Sequence, residues 1–481
     1  MTTQQEPVLT IGEIVTATGG QLVQGQSDRI CRGISTDTRT LSPGNLFIAL
    51  VGDRFDGHAF VPTAVTKGVT GIIFEEGRKV GVQPEAHSVA IIAVKDTVRA
   101  LGDIAHVWRM RFTIPVIAVT GSSGKTTTKE MTASILSLTK TVVKNRGNFN
   151  NLIGLPLTLL QINASHDAAV VELGTNLPGE IARLTDIAKP VIGVITNVGP
   201  AHLEGLKNLD GVREEKADLF RTMTAEGIAV INSDDEAVVR AAHQWKGKTI
   251  TFGLTHGSSV GATSIKIRGE KGITFTLSIG RRKRELTMAV LGEHNIYNAL
   301  AAAACSHACG IDYDDICRGL TAFRQVSGRM ELFRLWKGAF LIDDTYNANP
   351  SSVKEALKTL RDLAGRKGST LIFGDMLELG DRAEEIHEDI GMAIADTGVG
   401  RLILRGQFSR AVAAGAQKKG LSGDRIFFLD DSGDIADFIV KSLRDGEWIL
   451  IKGSRGMHME VITGAILRLC GENMPSREVM Q

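Results

Sequence analysis

Ile117-Ala118-Val119-Thr120-Gly121-Ser122-Ser123-Gly124-Lys125-Thr126-Thr127-Thr128-Lys129-Glu130 sets a strand, a glycine turn and a helix start in immediate succession. The apolar run Val116–Val119 reads as a buried strand, and Lys125, Thr126 and Thr127 open a helix. Gly121 and Gly124 allow the tight turn between them and point N–H groups inward. A glycine loop between a strand and a helix N-terminus cradles phosphate, because unpaired N–H groups and the helix dipole both favour an anion there. Lys125 is placed to reach the outer phosphates, and the Thr126 hydroxyl to face Mg²⁺. The strict pattern G-x-x-x-x-G-K-[ST] is not met, since Val119 stands where its first glycine belongs. The shorter T-G-x-x-G-K-T-T form keeps every element that binds phosphate.

The rest of the chain is built around this loop. A length of 481 residues suggests three domains at roughly 150 residues each. The hydrophobic fraction of 43% supports real cores. A formal net charge of +1 argues against broad attraction to nucleic acid or membrane surfaces. Met1 to Pro7 is polar, so no signal peptide is expected, and no apolar run is long enough for a membrane span. The spacing of Cys305, Cys309 and Cys317 matches no zinc pattern, and Cys305 and Cys309 read as small core residues of an Ala-rich helix. With Cys31 and Cys470 the count is odd, which points to a reducing cytoplasm rather than a disulfide framework.

Residues 1–112 mix short β-like runs (46–50, 71–74, 89–94) with helical segments (11–18, 60–67, 97–111). Their most polar piece is Ser35-Thr36-Asp37-Thr38-Arg39, which taken alone is a solvated turn, although Asp and Arg two apart suit a base edge or a diphosphate. In residues 113–325, strands at 116–120, 168–172, 191–196 and 228–231 alternate with helices from 125 and at 178–187, 210–222 and 234–244. That alternation predicts a parallel sheet covered by helices, with ligands at the C-terminal strand ends. Glu172, Asn197 and His202 fall at those ends. The asparagine cluster running from Asn145 to Asn151 makes a turn or steers a substrate. Lys216, on a predicted helix among acidic neighbours, reads by composition as a surface lysine. Residues 249–254 and 262–290 read as a β-rich insertion. His294, Asn295 and Asn298 stand at the start of the Ala-rich helix, where they cap it or border a purine.

Residues 326–481 resume the alternation as a second α/β unit of Rossmann-like type: strands at 339–343, 369–373, 401–405, 426–429 and 447–451, and helices at 352–364, 382–397, 407–418, 432–444 and 456–469. It lacks G-x-G-x-x-G, so no NAD site is expected. Gly374-Asp375-Met376-Leu377-Glu378-Leu379-Gly380 and Lys452-Gly453-Ser454-Arg455 punctuate two strand ends. The fold class expected is α/β: a smaller α/β N-terminal domain, a central P-loop parallel-sheet domain and a Rossmann-like C-terminal domain.

Taken together these motifs resemble the Mur ligases, ATP-dependent amino-acid and peptide ligases of peptidoglycan synthesis. The resemblance spans T-G-S-S-G-K-T-T (120–127), V-V-E-L-G (170–174), T-N-V-G-P-A-H (196–202), E-K-A-D-L-F (215–220), G-E-H-N-I-Y-N-A-L (292–300), S-G-R-M-E (327–331) and D-D-T-Y-N-A-N-P (343–350). Y-N-A-N-P (346–350), G-D-M-L-E-L-G and K-G-S-R resemble the branch that adds the dipeptide D-Ala-D-Ala. The D-N-P-R tetrapeptide of the diaminopimelate-adding branch is missing. The family form D-S-R appears here as Asp37-Thr38-Arg39, which keeps a hydroxyl. That N-terminal part is common to both branches and does not separate them.

The resemblance implies that Gly121, Ser122, Ser123, Gly124, Lys125, Thr126 and Thr127 hold the phosphates of ATP. It puts Thr126 and Glu172 on one Mg²⁺, and His202 on a second that is bridged by a carbamylated Lys216, which reverses the surface reading of that lysine. It puts His294, Asn295 and Asn298 at the adenine, Arg329 and Asp344 at the nucleotide, and Ser35, Asp37 and Arg39 on the uridine diphosphate end of the UDP-N-acetylmuramoyl tripeptide. Asn150 and Asn151 would face that substrate or the transferred phosphoryl group. The loops carrying Tyr346, Asn347 and residues 374–380 would meet the dipeptide. Lys125, Lys216, His202 and Asn151 are the catalytic candidates, and closure of the C-terminal domain over ATP is expected. A cytoplasmic monomer is expected, with no nucleic-acid partner and no membrane span. The competing readings are a ligase of the same mechanism that adds a single amino acid or extends a folate, and a P-loop kinase or regulatory ATPase. The folate branch lacks the UDP-binding start, and the kinase leaves Arg329, Asp344 and Lys216 without a function.

Overall fold

Every residue of the strand Val116–Thr120 is buried, as expected where helices cover both faces of a parallel sheet. The computed structural model describes residues 6–52, 55–78, 89–365 and 368–471. Most of the polar start at 1–7 lies outside them. The Val116–Thr120 strand sits inside a nine-stranded sheet. In spatial order the strands are 142–144, 168–172, 116–120, 192–195, 228–232, 248–253, 260–267, 273–279 and 282–288. All pairings are parallel as far as 260–267, and the last two strands join antiparallel. After 116–120 the chain runs to the sheet edge, returns beside it and then crosses to its other side, so the glycine loop lies at a topological switch point. Residues 248–288 therefore extend the central sheet instead of forming a separate β insertion. The period-2 alternation marked the strands, but strand order is not a local property.

Two further sheets flank this one. The N-terminal sheet has five strands in the order 21–24, 90–94, 71–75, 46–48 and 34–35. The C-terminal sheet has six, in the order 331–334, 340–344, 448–452, 369–374, 401–405 and 426–428, all parallel except 331–334. The strand Glu331–Arg334 and the helix Tyr313–Ala322 have no counterpart in the sequence expectations. Several predicted helices start later in the structure; the last, for example, begins at Glu460 rather than 456 because a 3₁₀ turn and a left-handed His458 precede it.

Helix Thr97–Arg109 joins the first two units through apolar contact. Leu101, Ile104 and Trp108 belong to one continuous cluster with Val116, Leu155, Leu159, Ile181 and Ile187. Trp108 donates its indole N–H to the Ile162 carbonyl at 2.9 Å, and the buried Arg109 donates to the carbonyls of Phe112, Ile114 and Ala188. The C-terminal sheet carries its own apolar clusters on its two faces. The Ala-rich helix His294–Ala308 buries Ala299 to Cys305 against the central sheet, as its small residues suggested. All five cysteines are free thiols. No helix among the described residues is long and apolar enough to cross a membrane.

At the N-terminal strand ends of the C-terminal sheet, Arg401 donates to both carboxylate oxygens of Glu447 at 2.7 and 2.9 Å, and Thr370 Oγ1 donates to one of them. The pair is almost wholly buried, with 6% and 1% of the two side chains exposed. Glu447→Ala is expected to destabilise this unit by about 3–5 kcal/mol, because it strands the guanidinium. Binding at the glycine loop should not change, since the pair lies at the strand ends of the C-terminal sheet away from that loop. Urea unfolding followed on the C-terminal unit, beside nucleotide titration, checks both statements.

Candidate active site

The backbone of the glycine loop is dictated by what packs against it. Gly121 (φ 149°) and Gly124 (φ 79°) lie in left-handed territory. A Cβ at Gly121 would fall 1.9 Å from Thr196 Oγ1, and one at Gly124 would fall 2.2 Å from Asn298 Oδ1. Both positions therefore exclude any other residue. Gly124→Ala is expected to weaken ATP binding at least about tenfold, since left-handed strain and the lost approach to Asn298 both distort the cradle. Titration with a non-hydrolysable ATP analogue measures this.

The loop is braced from the strand beside it. Ser122 donates its N–H to the Asn197 carbonyl, Ser123 donates its own to Asn197 Oδ1 at 2.9 Å, and Thr196 Oγ1 donates to the Ser123 carbonyl at 2.6 Å. Ser122 and Ser123, expected among the residues holding phosphate, thus use their N–H groups within the protein. The amides of Lys125, Thr126 and Thr127, in the first turn of the helix where no intrahelical acceptor exists, are left for an anion. Asn197, a ligand candidate by position, is a brace.

Lys125 folds back over the loop and donates to the Gly121 carbonyl at 2.7 Å. Desolvation lowers its pKa, with the Glu172 charge acting in the opposite direction. Thr126 Oγ1 donates to Glu172 Oε2 at 2.7 Å and accepts from Arg329 Nη2 at 2.7 Å. The other oxygen of Glu172 accepts from Asn150 Nδ2 at 2.8 Å. Strand register sets Glu172 opposite Val119, one residue short of the glycine loop.

Asn145 performs a task that sequence reading missed. The edge strand ends at Lys144, and the Asn145 amide continues the ladder in place of a peptide unit. Its Oδ1 accepts from the Glu172 N–H and its Nδ2 donates to the Glu172 carbonyl, both at 2.9 Å. The buried Lys129 holds the Asn145 carbonyl at 2.6 Å. Asn151 caps the helix Gly154–Leu159, accepting from the N–H of Gly154 at 2.8 Å.

Lys216 is 1% exposed, which overturns the surface reading drawn from composition. Burial, reinforced by the charge of Lys125, pushes its pKa well below the ordinary lysine value. It is not one of the residues lining the cleft, but it lies close enough to Lys125, which is, for their charges to interact. Its neighbour Glu215 accepts from Thr175 Oγ1 and from the N–H groups of Gly179 and Ile181, which fixes the helix carrying Lys216 to the loop after Glu172.

The cleft is about 1430 Å³ and lies between the central and C-terminal units. It is lined by Ser122 to Thr127, Asn150, Asn151, Glu172, His202, His294, Asn295, Asn298, Arg329, Asp344, Tyr346 and Asn347. Arg329 stacks its guanidinium 4.0 Å over the Tyr346 ring. Asp344 is held by the buried Lys452 at 2.5 Å, across a register in which the two residues face each other on adjacent strands. Asn295 and Asn298 are buried, bonded to each other and to the Leu291 carbonyl, and they back the glycine loop. The ring of His294 leaves Nδ1 without a partner, and burial pushes its pKa down to about 4. Asn349 donates to the Ser122 carbonyl at 3.3 Å, and His202 Nδ1 meets Glu378 Oε2 at 2.8 Å, so the C-terminal unit touches the glycine loop and the His202 segment directly. Glu378 lies in the loop 374–380 expected to meet the dipeptide, although it was not singled out there.

Ser35, Asp37 and Arg39 are not part of this cleft. Arg39 donates bidentately to Asp37, at 3.0 and 2.6 Å to Oδ2, and Ser35 Oγ donates to the Asp37 carbonyl at 3.0 Å. Arg39 is exposed, leaving it open to an anionic ligand.

Among the described residues no three His, Cys, Asp or Glu side chains converge as a metal site. Thr126 and Glu172 nevertheless offer the oxygen donors a hard cation takes, with phosphate oxygens expected to complete its shell.

Three Mur ligase profiles match the chain: "Mur ligase family, catalytic domain" over 31–109, "Mur ligase middle domain" over 119–306 and "Mur ligase, glutamate ligase domain" over 328–455. The chain is 36% identical to the UDP-N-acetylmuramoyl-tripeptide–D-alanyl-D-alanine ligase of Bacillus subtilis over 454 residues, which is 94% of this chain and 97% of that one. Its fold matches a crystal structure of MurF from Acinetobacter baumannii with a TM-score of 0.87 at 32% identity, covering 96% of this chain and all of that one (100%). It also matches MurF ligase from Thermotoga maritima in complex with ADP, with a TM-score of 0.80 at 26% identity, covering 90% and 97% of the two chains.

Proposed function

The chain belongs to the Mur ligase family, and from that membership we propose how its own residues carry the family's reaction. It is an ATP-dependent ligase that joins D-Ala-D-Ala to UDP-N-acetylmuramoyl tripeptide through an acyl phosphate, giving the pentapeptide, ADP and phosphate for peptidoglycan synthesis. The observation that carries this reading is the near full-length likeness to the D-alanyl-D-alanine ligase of Bacillus subtilis, together with a glycine loop at a helix start lining the cleft.

A carboxylate is a poor acyl donor until one of its oxygens becomes a good leaving group. Phosphorylation supplies that leaving group but brings two anions together. In our reading the first-turn amides of Lys125, Thr126 and Thr127 hold the phosphates, and the Lys125 ammonium lies where charge moves during transfer. Thr126 and Glu172 would hold one Mg²⁺, and His202 with a carbamylated Lys216 a second; when bound they screen the phosphate charge. Asn150 keeps Glu172 aimed at Thr126, and Asn151 faces the muramoyl substrate. Arg329 and Asp344 reach the nucleotide from the C-terminal unit, and His294, Asn295 and Asn298 border the adenine. Ser35, Asp37 and Arg39 hold the uridine diphosphate end, and Tyr346 and Asn347 border the dipeptide. Holding three substrates in one cleft removes much of the entropic cost of their encounter. Nucleotide substrates and five free thiols fit a cytoplasmic enzyme, and we take it to be a monomer.

The test is phosphate release with ATP, Mg²⁺ and UDP-muramoyl tripeptide, adding D-Ala-D-Ala or single amino acids. Turnover with the dipeptide alone is expected. Turnover with a free amino acid would move the enzyme to another branch of the family, and release indifferent to both co-substrates would make it an ATPase.

A further inference from the structure

We propose that Glu378 is the residue that receives the ammonium group of the incoming dipeptide, a reading that rests on the ligase activity above. The loop bearing it is held on all sides. Asp375 accepts from the N–H groups of Gln407 and Phe408, Met376 donates its N–H to the buried His387 ring at 3.0 Å, and Leu377 donates its N–H to Ser454 Oγ at 2.9 Å. Within that rigid loop Glu378 adopts φ 63°, a left-handed backbone on a residue that is not glycine. Strain of this kind persists where the surroundings over-determine it, and it gathers at ligand sites.

The strained residue aims a carboxylate into the cleft. One oxygen meets His202, itself left-handed at φ 54°. The other, Oε1, has no hydrogen-bond or ion-pair partner among the described residues, and about half of the side chain is exposed. Glu172, by contrast, has both oxygens engaged, and Asp344 is held by Lys452.

The position is unusual in its electrostatics. Glu378 lines the same cleft as the phosphate loop and is close enough to Lys125 for their charges to act on each other. A free carboxylate beside the site where ATP phosphates and an acyl phosphate gather is repelled by both, unless a cation joins it. Besides the Mg²⁺ proposed on His202, the reaction brings one such cation to this place: the α-ammonium of the amine substrate, which must bind beside the acyl phosphate next to Lys125. Glu378 comes from the C-terminal unit, on the wall facing the phosphates, so an ammonium held there lies between the two.

The test compares wild type with Glu378→Gln, which keeps the size and the acceptor for His202 but removes the charge. KM for D-Ala-D-Ala is expected to rise roughly tenfold to hundredfold, as for loss of a charge-assisted hydrogen bond. KM for ATP and for the UDP substrate, and the Mg²⁺ concentration for half activation, should stay within about twofold of wild type. Calorimetry on enzyme saturated with a non-hydrolysable ATP analogue and UDP substrate gives a second readout. Wild type should prefer D-Ala-D-Ala over N-acetyl-D-Ala-D-Ala, which lacks the ammonium, and Glu378→Gln should bind the two alike. An unchanged KM for the dipeptide, or parallel shifts in all three KM values or in the Mg²⁺ dependence, overturns the proposal. If wild type ligates a single amino acid instead, the functional reading falls, while the same comparison run with that amine and its N-acetyl form still decides the part played by Glu378.

Discussion

Lys125→Ala is expected to lower kcat by about three orders of magnitude, the scale of losing a preorganised charge at a developing anion. The structure gives the reason. Lys125 is the cation bound to the loop backbone itself, through the Gly121 carbonyl, and it moves with the cradle. Its neighbour Arg329 is committed to Thr126 and stacked on Tyr346, so it cannot take over. Lys125→Arg should restore little, because a planar fork does not fold over a tight turn as a flexible ammonium does. Single-turnover assays separate the chemical step from binding: KM for the UDP substrate should hardly move while acyl-phosphate formation slows.

Lys216→Ala is expected to leave less than about one thousandth of wild-type kcat, with partial recovery in millimolar formate or acetate. Carbamate formation needs a neutral amine to attack CO₂, forming an N–C bond and releasing a proton. Burial and the nearby charge of Lys125 both press Lys216 towards that neutral form. The anion so made then sits near a cation instead of confronting it. Isotope-edited ¹³C NMR in ¹³CO₂-equilibrated buffer should show a carbamate carbon in wild type and none in the variant. Near wild-type turnover by Lys216→Ala, or no carbamate signal in an active wild type, would remove this lysine from the reaction.

How far the chain could be read from its letters depended on distance along it. The strand, glycine loop and helix start around 116–127 were legible because strand, glycines, lysine and threonines are contiguous. The strand-end positions of Glu172 and His202 followed from the same alternation. Lys216 was legible only through resemblance: its acidic neighbours imitate a wet surface, and the packed face of helix Leu209–Thr222 decides otherwise. Asn145 looked like a turn residue because nothing local says that an edge strand ends there and needs an amide to finish it. Glu378 pairs with a histidine 176 residues away, a meeting made by the approach of two sheets. The β strands at 260–288 were visible as strands, but their merger with the central sheet was not.

The unbroken apolar seam along helix Thr97–Arg109 has a calorimetric consequence. Cooperative melting follows shared hydrophobic surface, and hydrogen bonds across a wet cleft transmit little of it. The first two sheets should therefore melt as one thermal unit, with no separate endotherm for residues before 110. The C-terminal sheet, with its own cores, should give a second endotherm. In the proposed reading nucleotide takes contacts from both sides of the cleft, so saturating ATP analogue should draw the two peaks together, turning a loosely jointed pair into a single thermodynamic body.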